Sequence, residues 1–230
     1  MTNNRHAEKA GCTQTLYGKQ HRALQQDFDT VKLADAVNAN IVATEIGEEH
    51  RGFIESRDMF FLTTIDHRGY PTCSYKGGNP GFLRIIDSKT LAFPSYDGNG
   101  MYLSMGNISI NNQVGILLID FETPNRFRIH GNASVHRDED SLRMFVGAEM
   151  VVFVDIVEIF VNCPRYIHRY KRVASAKHVP QENEPVALPQ WKRIDGLQQA
   201  LPDRDKHIAE TCGGTITPEQ YAEMVKKGEA

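Results

Sequence analysis

Between Met59 and Phe160 the sequence alternates short apolar runs with clusters of turn-forming residues. The runs are rich in β-branched and aromatic residues, which favour strands, while Gly, Asp, Asn and Pro gather between them. Short strands at close spacing, with few helices between them, favour a mainly β, antiparallel barrel or sandwich over a doubly wound parallel sheet. The predicted strands are Met59–Ile65, Pro71–Lys76, Phe82–Ile86, Thr90–Phe93, Val114–Phe121, Arg126–Val135 and Val151–Phe160.

The connections and side-chain patterns of these runs indicate how the strands meet. The polar segments 66–69 and 87–90 are short enough for hairpins, so we expect antiparallel neighbours on either side of each. The run 126–131 alternates polar and apolar side chains, which predicts one face on the core and one on solvent, a ligand or a partner chain. The run 114–119 is nearly all apolar, so we expect both of its faces to be covered.

Two helical patterns precede the strands. Residues 19–38 carry an apolar stripe at helical spacing, which predicts one helix packed on another part of the protein. Residues 47–56 predict a second, short helix whose buried side is formed by Phe53 and Ile54. The stripe of the first helix consists of Leu24, Phe28, Val31 and Ala34.

Two further helices are predicted among the strands. After the turn at residues 96–100, Met101, Met105 and Ile108 fall on one helical face. Residues 138–146 predict a short crossing helix, because acidic residues occupy its first turn and complement the helix dipole.

The C-terminal sequence becomes irregular. Residues 171–216 combine several prolines with many polar residues, which predicts an extended arm over the surface or onto a partner chain. A final helix is predicted from Thr217, an N-cap residue that forms a capping box with Gln220. We therefore expect three parts: an N-terminal helical extension (1–50), a split barrel (51–170) and a C-terminal arm ending in a helix (171–230).

Composition narrows the function classes. The net charge of -3 argues against a nucleic-acid partner, which calls for a concentrated basic face. The N-terminus lacks the apolar region of a signal peptide and no run is long enough to span a bilayer, so we expect a cytoplasmic protein without membrane insertion. Scattered histidines without helical pairing predict no metal site. Nor do the widely spaced Cys12, Cys73, Cys163 and Cys212 suggest zinc or a disulfide framework.

The segment 93–101 joins a strand to a helix through small and polar residues. The first turn of that helix offers unpaired N–H groups to an anion, and Ser95 and Asn99 would add side-chain donors. Gly98 and Gly100 would let the backbone approach a phosphate, and Lys76 from a nearby strand end would supply positive charge. The alternative is an ordinary glycine-rich connection.

The segment Ser74–Gly78 ends a strand with two glycines, which would let a flat ring lie against the backbone. Its alternative is a strand that ends in a loop with a solvated lysine. Familiar nucleotide motifs are missing: Leu103 stands where GxGxxG needs its third glycine, and no GxxxxGK[ST] occurs. Ser95 and Ser104 lack the GxSxG context of a hydrolase nucleophile.

Taken in order, these pieces resemble the pyridoxamine 5'-phosphate oxidase-like family of FMN-binding split barrels, in particular its flavin-nucleotide-binding members of uncertain substrate. The resemblance covers about half of the chain, from Phe53 to about Val161. Each piece is weakly specific, whereas their order and spacing are more specific. The matching pieces are Phe60–Thr64, Gly69–Thr72, Ser74–Gly78, Gly81–Arg84, Phe93–Gly100, Ser104–Asn107 and Asn162–Tyr166.

The resemblance implies a homodimer with FMN in a cleft at the subunit interface. It implies that the flavin is bound by the strand around Ser74–Lys76 and the turn around Ser95–Met101, and that a partner subunit reaches it through Arg126, Arg128 and the segment 163–166. Such arginines also occur on exposed strands for solubility, and Cys163 is expected to be a small buried residue. The candidate cofactor-binding residues are Ser74, Tyr75, Lys76, Pro94, Ser95, Tyr96, Asn99, Gly100, Met101, Ser104, Asn107, Arg126, Arg128 and Arg165.

One departure from the family concerns the reaction. The named oxidase carries an Arg-x-His pair near its C-terminus for the substrate phosphate, whereas this chain reads Gln190-Trp-Lys-Arg-Ile-Asp-Gly196. Oxidation of pyridoxamine 5'-phosphate itself is therefore not expected. We predict an FMN-dependent oxidoreductase of a small molecule, without a nameable acid or base. The alternatives are a non-enzymatic flavin carrier or sensor, or a split barrel that binds a deazaflavin or heme.

Overall fold

A computed structural model describes residues 16–230 of the protein, so Cys12 lies outside the described residues. Seven antiparallel strands form one sheet in the order β2-β1-β5-β6-β7-β4-β3, which is not closed. The predicted mainly β, antiparallel split barrel with added helices is thereby confirmed. The strands are β1 (Met59–Ile65), β2 (Pro71–Gly77), β3 (Arg84–Ile85), β4 (Thr90–Ser95), β5 (Gln113–Asp120), β6 (Asn125–His136) and β7 (Met150–Asn162).

The hairpin between β1 and β2 is fixed by Asp66. Its carboxylate accepts hydrogen bonds from the backbone N–H groups of Arg68 at 2.8 Å and Tyr70 at 2.9 Å. Gly69 adopts a φ of 87°, which glycine reaches without a steric penalty. The turn sets the register that pairs Leu62 with Ser74. The predicted hairpin is confirmed, and its register decides which β2 side chains face inward.

The main core consists mostly of the inward-facing apolar residues of the strands. Phe60 is fully buried, and its ring packs against Phe82 at 5.5 Å and Phe93 at 5.0 Å between centroids. Burying a side chain of this size stabilises the fold by roughly 1.5–3 kcal/mol. The expectation that both faces of 114–119 are covered is wrong for the isolated chain. Alternate residues of β5 are buried, whereas Leu117 and Ile119 are only half-buried on the outer face.

The N-terminal helical region differs from the single helix predicted over 19–38. It forms α1 (Lys19–Asp27) and α2 (Val31–Ile41), separated where Asp29 takes a left-handed φ of 51°. Neither helix contains a buried residue, and Leu24 and Phe28 remain 57% and 75% exposed, so the expected packing of the stripe is also wrong for the single chain. The spacing of apolar residues in the sequence does not show where a backbone conformation interrupts the helix.

The remaining helices follow the sequence patterns more closely. The short helix α3 (Glu48–Glu55) buries Ile54, as predicted, whereas Phe53 is only half-buried against the core. Met101 was expected on the next helix but precedes it and is exposed, while Met105 and Ile108 are buried. Thr217 caps the last helix through the predicted capping box with Gln220. The helices after α3 are α4 (Leu103–Ile110), α5 (Glu139–Leu142), α6 (Ile208–Thr211) and α7 (Pro218–Lys227).

The C-terminal arm, residues 171–230, lies against the barrel. It contains short 3₁₀ turns at Gln190–Arg193, Asp195–Ala200 and Asp203–Asp205. Leu201 and Ile208 are buried, so the arm forms a small apolar contact of its own. Across residues 16–230, the helices are all too short or too polar to traverse a lipid bilayer.

Candidate functional site

The edge strand β2 and the bend that follows β4 converge on one cleft of about 210 Å³. The bend, residues 95–102, joins β4 to α4, and the first turn of α4 forms the third wall. The two stretches that the sequence singled out therefore face a common space. The lining residues are Ser74, Lys76, Ser95, Tyr96, Gly98, Asn99, Gly100, Met101, Tyr102, Leu103, Ser104 and Met105.

Strand alternation decides which β2 side chains reach the cleft. Ser74 and Lys76 lie on the cleft side, whereas Tyr75 lies on the opposite face with 63% of its surface exposed. The Ser74 hydroxyl forms a 3.0 Å hydrogen bond with the hydroxyl of Ser104 in α4. This contact joins the strand to the helix at the floor of the cleft. The predicted cofactor residue Tyr75 does not line it.

Lys76 is the cation of the cleft. Burial lowers the pKa of its ammonium from the ordinary value of 10.5, because desolvation disfavours the charged form. No carboxylate among residues 16–230 opposes this shift through a hydrogen bond or a charge interaction. An anion that entered the cleft would supply the missing countercharge and raise the pKa again. The structure thus holds a half-buried positive charge without an internal partner.

The bend presents backbone donors in addition to its side chains. Gly100 has a φ of 78°, and Tyr102, the N-cap of α4, has a φ of 47° and gives no side-chain cap to the helix. The first-turn amides of α4 are therefore not satisfied by a capping side chain. Asn99 Oδ1 accepts a 3.1 Å hydrogen bond from the Met101 N–H, so this side chain shapes the bend. An anion at the helix start would meet N–H groups and the positive end of the helix dipole.

The remaining cleft groups are uncharged at neutral pH. Burial raises the pKa of the Tyr96 phenol, and Arg84 opposes part of that rise. The described lining contains hydroxyls, two phenols, an amide, two thioethers, backbone groups and one ammonium, but no carboxylate and no imidazole. Acid–base chemistry by a carboxylate or an imidazole therefore has no candidate on these walls, whose titratable side chains are Lys76, Tyr96 and Tyr102.

Two predicted residues lie behind the cleft. Pro94 is buried in β4, where it pairs with Val151 of β7. Asn107 is buried in α4, and its side-chain amide donates 3.0 Å hydrogen bonds to the hydroxyls of Thr64 and Thr72. Asn107 therefore ties α4 to the β1–β2 hairpin. Its contacts position the wall of the cleft and do not face the space inside it.

The three predicted arginines lie outside this cleft. Arg126 and Arg128 share one face of β6, as their spacing predicts, and Arg165 follows β7 in an exposed segment. Cys163 was expected to be buried but is exposed. Hydrogen bonds from Arg165 hold the pKa of the Cys163 thiol below its usual range, because they stabilise the thiolate.

A set of charged residues near the cleft went unnoticed in the sequence. Lys192 of the arm is buried, 3% exposed, and its ammonium lies 2.7 Å from Asp97 and 2.9 Å from Asp205. Arg204 pairs with the other oxygen of Asp97 at 3.0 Å and with Glu149 at 2.8 Å. The only sequence signal was the single tryptophan of the chain, Trp191, directly before Lys192 in a tail that otherwise reads as irregular.

Comparison with known proteins identifies the family of the chain. The sequence profile described as Pyridoxamine 5'-phosphate oxidase matches residues 46–179, more than half of the chain. The chain belongs to the pyridoxamine 5'-phosphate oxidase family. The matched segment contains every strand and the whole cleft lining, whereas Lys192 and Arg204 lie beyond it. A search of curated proteins returned no match.

Solved structures with similar barrels come from several bacteria. A putative pyridoxamine 5'-phosphate oxidase from Lactobacillus delbrueckii is 21% identical, with a TM-score of 0.42 over 51% of this chain and 95% of that one. HupZ from Group A Streptococcus is 18% identical, with a TM-score of 0.42 over 55% and 99%. An FMN-binding protein from Syntrophomonas wolfei is 12% identical, with a TM-score of 0.40 over 63% and 97%.

Proposed function

We propose that this member of the pyridoxamine 5'-phosphate oxidase family binds FMN, with the phosphate of the cofactor in the cleft. The observation that carries the proposal is the half-buried Lys76 ammonium without an internal carboxylate partner. A desolvated cation is costly unless an anion pairs with it, and the uncapped start of α4 supplies N–H groups beside it. Ser95 and Ser104 add hydroxyl donors to the same space.

The size of the cleft favours a site shared by two copies of the chain. Pockets that enclose a whole cofactor-sized ligand usually measure about 300–1,000 Å³, and this one measures about 210 Å³. One chain would hold the phosphate and the adjoining chain of FMN, while a second copy would cover the ring in a homodimer. The half-buried apolar residues on the outer face of β5 are suited to such a contact. Arg126, Arg128 and Arg165 are our candidates for groups that the second copy contributes.

The chain would act as an oxidoreductase of a small molecule. The isoalloxazine ring of FMN, when bound, accepts or passes electrons, and the chain binds and orients it and excludes water. The described walls carry no carboxylate or imidazole, so Lys76 and the backbone donors would act by positioning. The same observation favours a second candidate, a flavin carrier or sensor without turnover. We propose the cytoplasm as its compartment, consistent with the free thiols of Cys73, Cys163 and Cys212.

The test is the visible spectrum of protein purified without added cofactor, followed by mass analysis of the small molecule that it releases. We expect a flavin spectrum and the mass of FMN. Release of a deazaflavin or heme would overturn FMN as the ligand. Rapid reduction of the bound flavin by a nicotinamide cofactor would support the oxidoreductase, and tight binding without reduction would support the carrier.

A further inference from the structure

The bend that lines the cleft is held from outside by the C-terminal arm. Tyr96 and Gly98 face the cleft, but Asp97 between them is not part of the lining. Its two carboxylate oxygens are taken up separately, one by Lys192 at 2.7 Å and the other by Arg204 at 3.0 Å. The middle of the bend is therefore attached to the arm through both oxygens of one side chain.

Lys192 is a fixed attachment point. Its ammonium is almost completely buried, and a second carboxylate, Asp205, lies 2.9 Å away on the same arm. Burial opposes the charge, but the hydrogen bonds that the ammonium donates to the two carboxylates outweigh it and raise the pKa of Lys192. The two carboxylates thus favour the charged form of the ammonium, and it cannot leave Asp97 without exposing or stranding an ion.

The other end of the bend is attached through a second contact. The Tyr102 hydroxyl donates a 3.1 Å hydrogen bond to Glu149, whose other oxygen accepts from Arg204 at 2.8 Å. Tyr102 has a φ of 47°, a left-handed conformation that costs a non-glycine residue about 1 kcal/mol or more. Such a conformation persists where surrounding contacts hold it. Here the contact is with Glu149, which Arg204 of the arm holds in turn.

We propose that Lys192 and Arg204 are positioning residues, which hold Asp97 and Tyr102 so that the bend keeps the shape that presents its backbone N–H groups to a phosphate. The proposal rests on the proposed function, because the phosphate is that of the FMN assigned to this cleft. Its physical basis is preorganisation: a loop already held in its binding shape loses less conformational entropy when the ligand arrives.

The substitution Asp97→Asn tests the proposal, because the direction of the change in FMN affinity depends on whether attachment to the arm matters. Removing a negative charge beside an anion site would strengthen FMN binding if charge alone mattered. If attachment to the arm matters, the same change frees the bend and weakens FMN binding, by about tenfold. Asp97 is 43% exposed, so the variant is expected to fold. Asp203→Asn is the matched control, because it makes the same charge change on the arm at a side chain 94% exposed.

Two measurements are made on wild type and both variants: the dissociation constant for FMN, and amide hydrogen exchange across residues 96–102 in the protein freed of ligand. We expect weaker FMN binding and faster exchange of the bend in Asp97→Asn alone. Unchanged or tighter FMN binding would overturn the proposal, as would weaker binding without faster exchange. If wild type bound no FMN, the proposed function would fail, and unchanged exchange in Asp97→Asn would then overturn the holding role independently.

Discussion

Two lysines on opposite sides of the same bend differ in what surrounds them. Lys192 is buried between Asp97 and Asp205, and these partners raise its pKa. Lys76 is partly buried in the cleft, and desolvation without a carboxylate partner lowers its pKa. The charge of Lys192 is neutralised within the chain, while the charge of Lys76 is available to an anion that binds in the cleft. The pairing of a buried cation, more than its burial, separates a structural group from a candidate ligand site.

The largest expected effect is on stability and concerns the paired lysine. Lys192→Met leaves Asp97 and Asp205 close together without their shared cation, and breaking a buried ion pair in this way costs about 3–5 kcal/mol. The measurement is urea unfolding of the ligand-free protein. Lys206→Met is the control, since its exposed pair with Asp203 is worth less than about 1 kcal/mol. Equal unfolding free energies of the two variants would contradict the claim that the buried pairs of Lys192 stabilise the fold more than a surface pair does.

The unpaired lysine should show the opposite pattern. Lys76→Met removes a charge-assisted contact to phosphate worth about 1.5–3 kcal/mol, so FMN affinity should fall by roughly tenfold to a hundredfold. The unfolding free energy of the ligand-free protein should not fall, because the lost ammonium was desolvated and had no partner. Fluorescence titration with FMN gives the affinity, and Lys89→Met serves as an exposed control. Unchanged affinity in Lys76→Met would remove Lys76 from the phosphate site.

The pH dependence of FMN binding should show a smaller effect, and it also distinguishes Lys76 from Lys192. The charged form of Lys76 binds the anion, so affinity is fully present below its pKa and is lost as the pH rises through it. Because burial lowers that pKa, the loss should begin below pH 10.5 and amount to severalfold. Titrations above about pH 7 avoid the second ionisation of the phosphate. Lys76→Arg should bind without this alkaline loss, since its guanidinium stays charged; an identical pH profile would contradict the assignment.

The smallest expected effect tests whether the hydroxyls around Lys76 add to its charge. Ser74→Ala removes the 3.0 Å contact with Ser104 and one potential donor to phosphate. A neutral hydrogen bond contributes about 0.5–1.5 kcal/mol, so FMN affinity should fall by about two- to tenfold. Ser134→Ala, on the exposed face of β6, is the matched control. A loss as large as that of Lys76→Met would show that hydroxyls, not charge, dominate the site.

The sequence predicted the barrel well because local signals determine it. Alternation and turn residues located the strands, and the register set by the Asp66 turn placed Ser74 and Lys76 on one side. The same alternation excludes Tyr75 from the cleft, which the family resemblance alone did not show. The predicted division of the chain at residues 50 and 170 stays a prediction.

What the sequence could not predict depends on backbone breaks and on distant pairs. The break at Asp29 follows from a single left-handed residue inside an otherwise helical spacing. The pair between Lys192 and Asp97 joins residues 95 positions apart, and such a contact leaves no periodic trace in either segment. The exposure of Cys163 was missed because a cysteine after an apolar strand has the composition of a core residue.

The late position of Lys192 and Arg204 in the chain also orders events during synthesis. The ribosome releases the N-terminal part of a protein first, so all seven strands emerge before either cation. The barrel would then assemble with its bend still unattached, and the nascent chain would acquire its finished cleft only after residue 204 has left the exit tunnel. A protease cut near Val173, which is 99% exposed, would break the covalent link between the barrel and the segment that carries both cations.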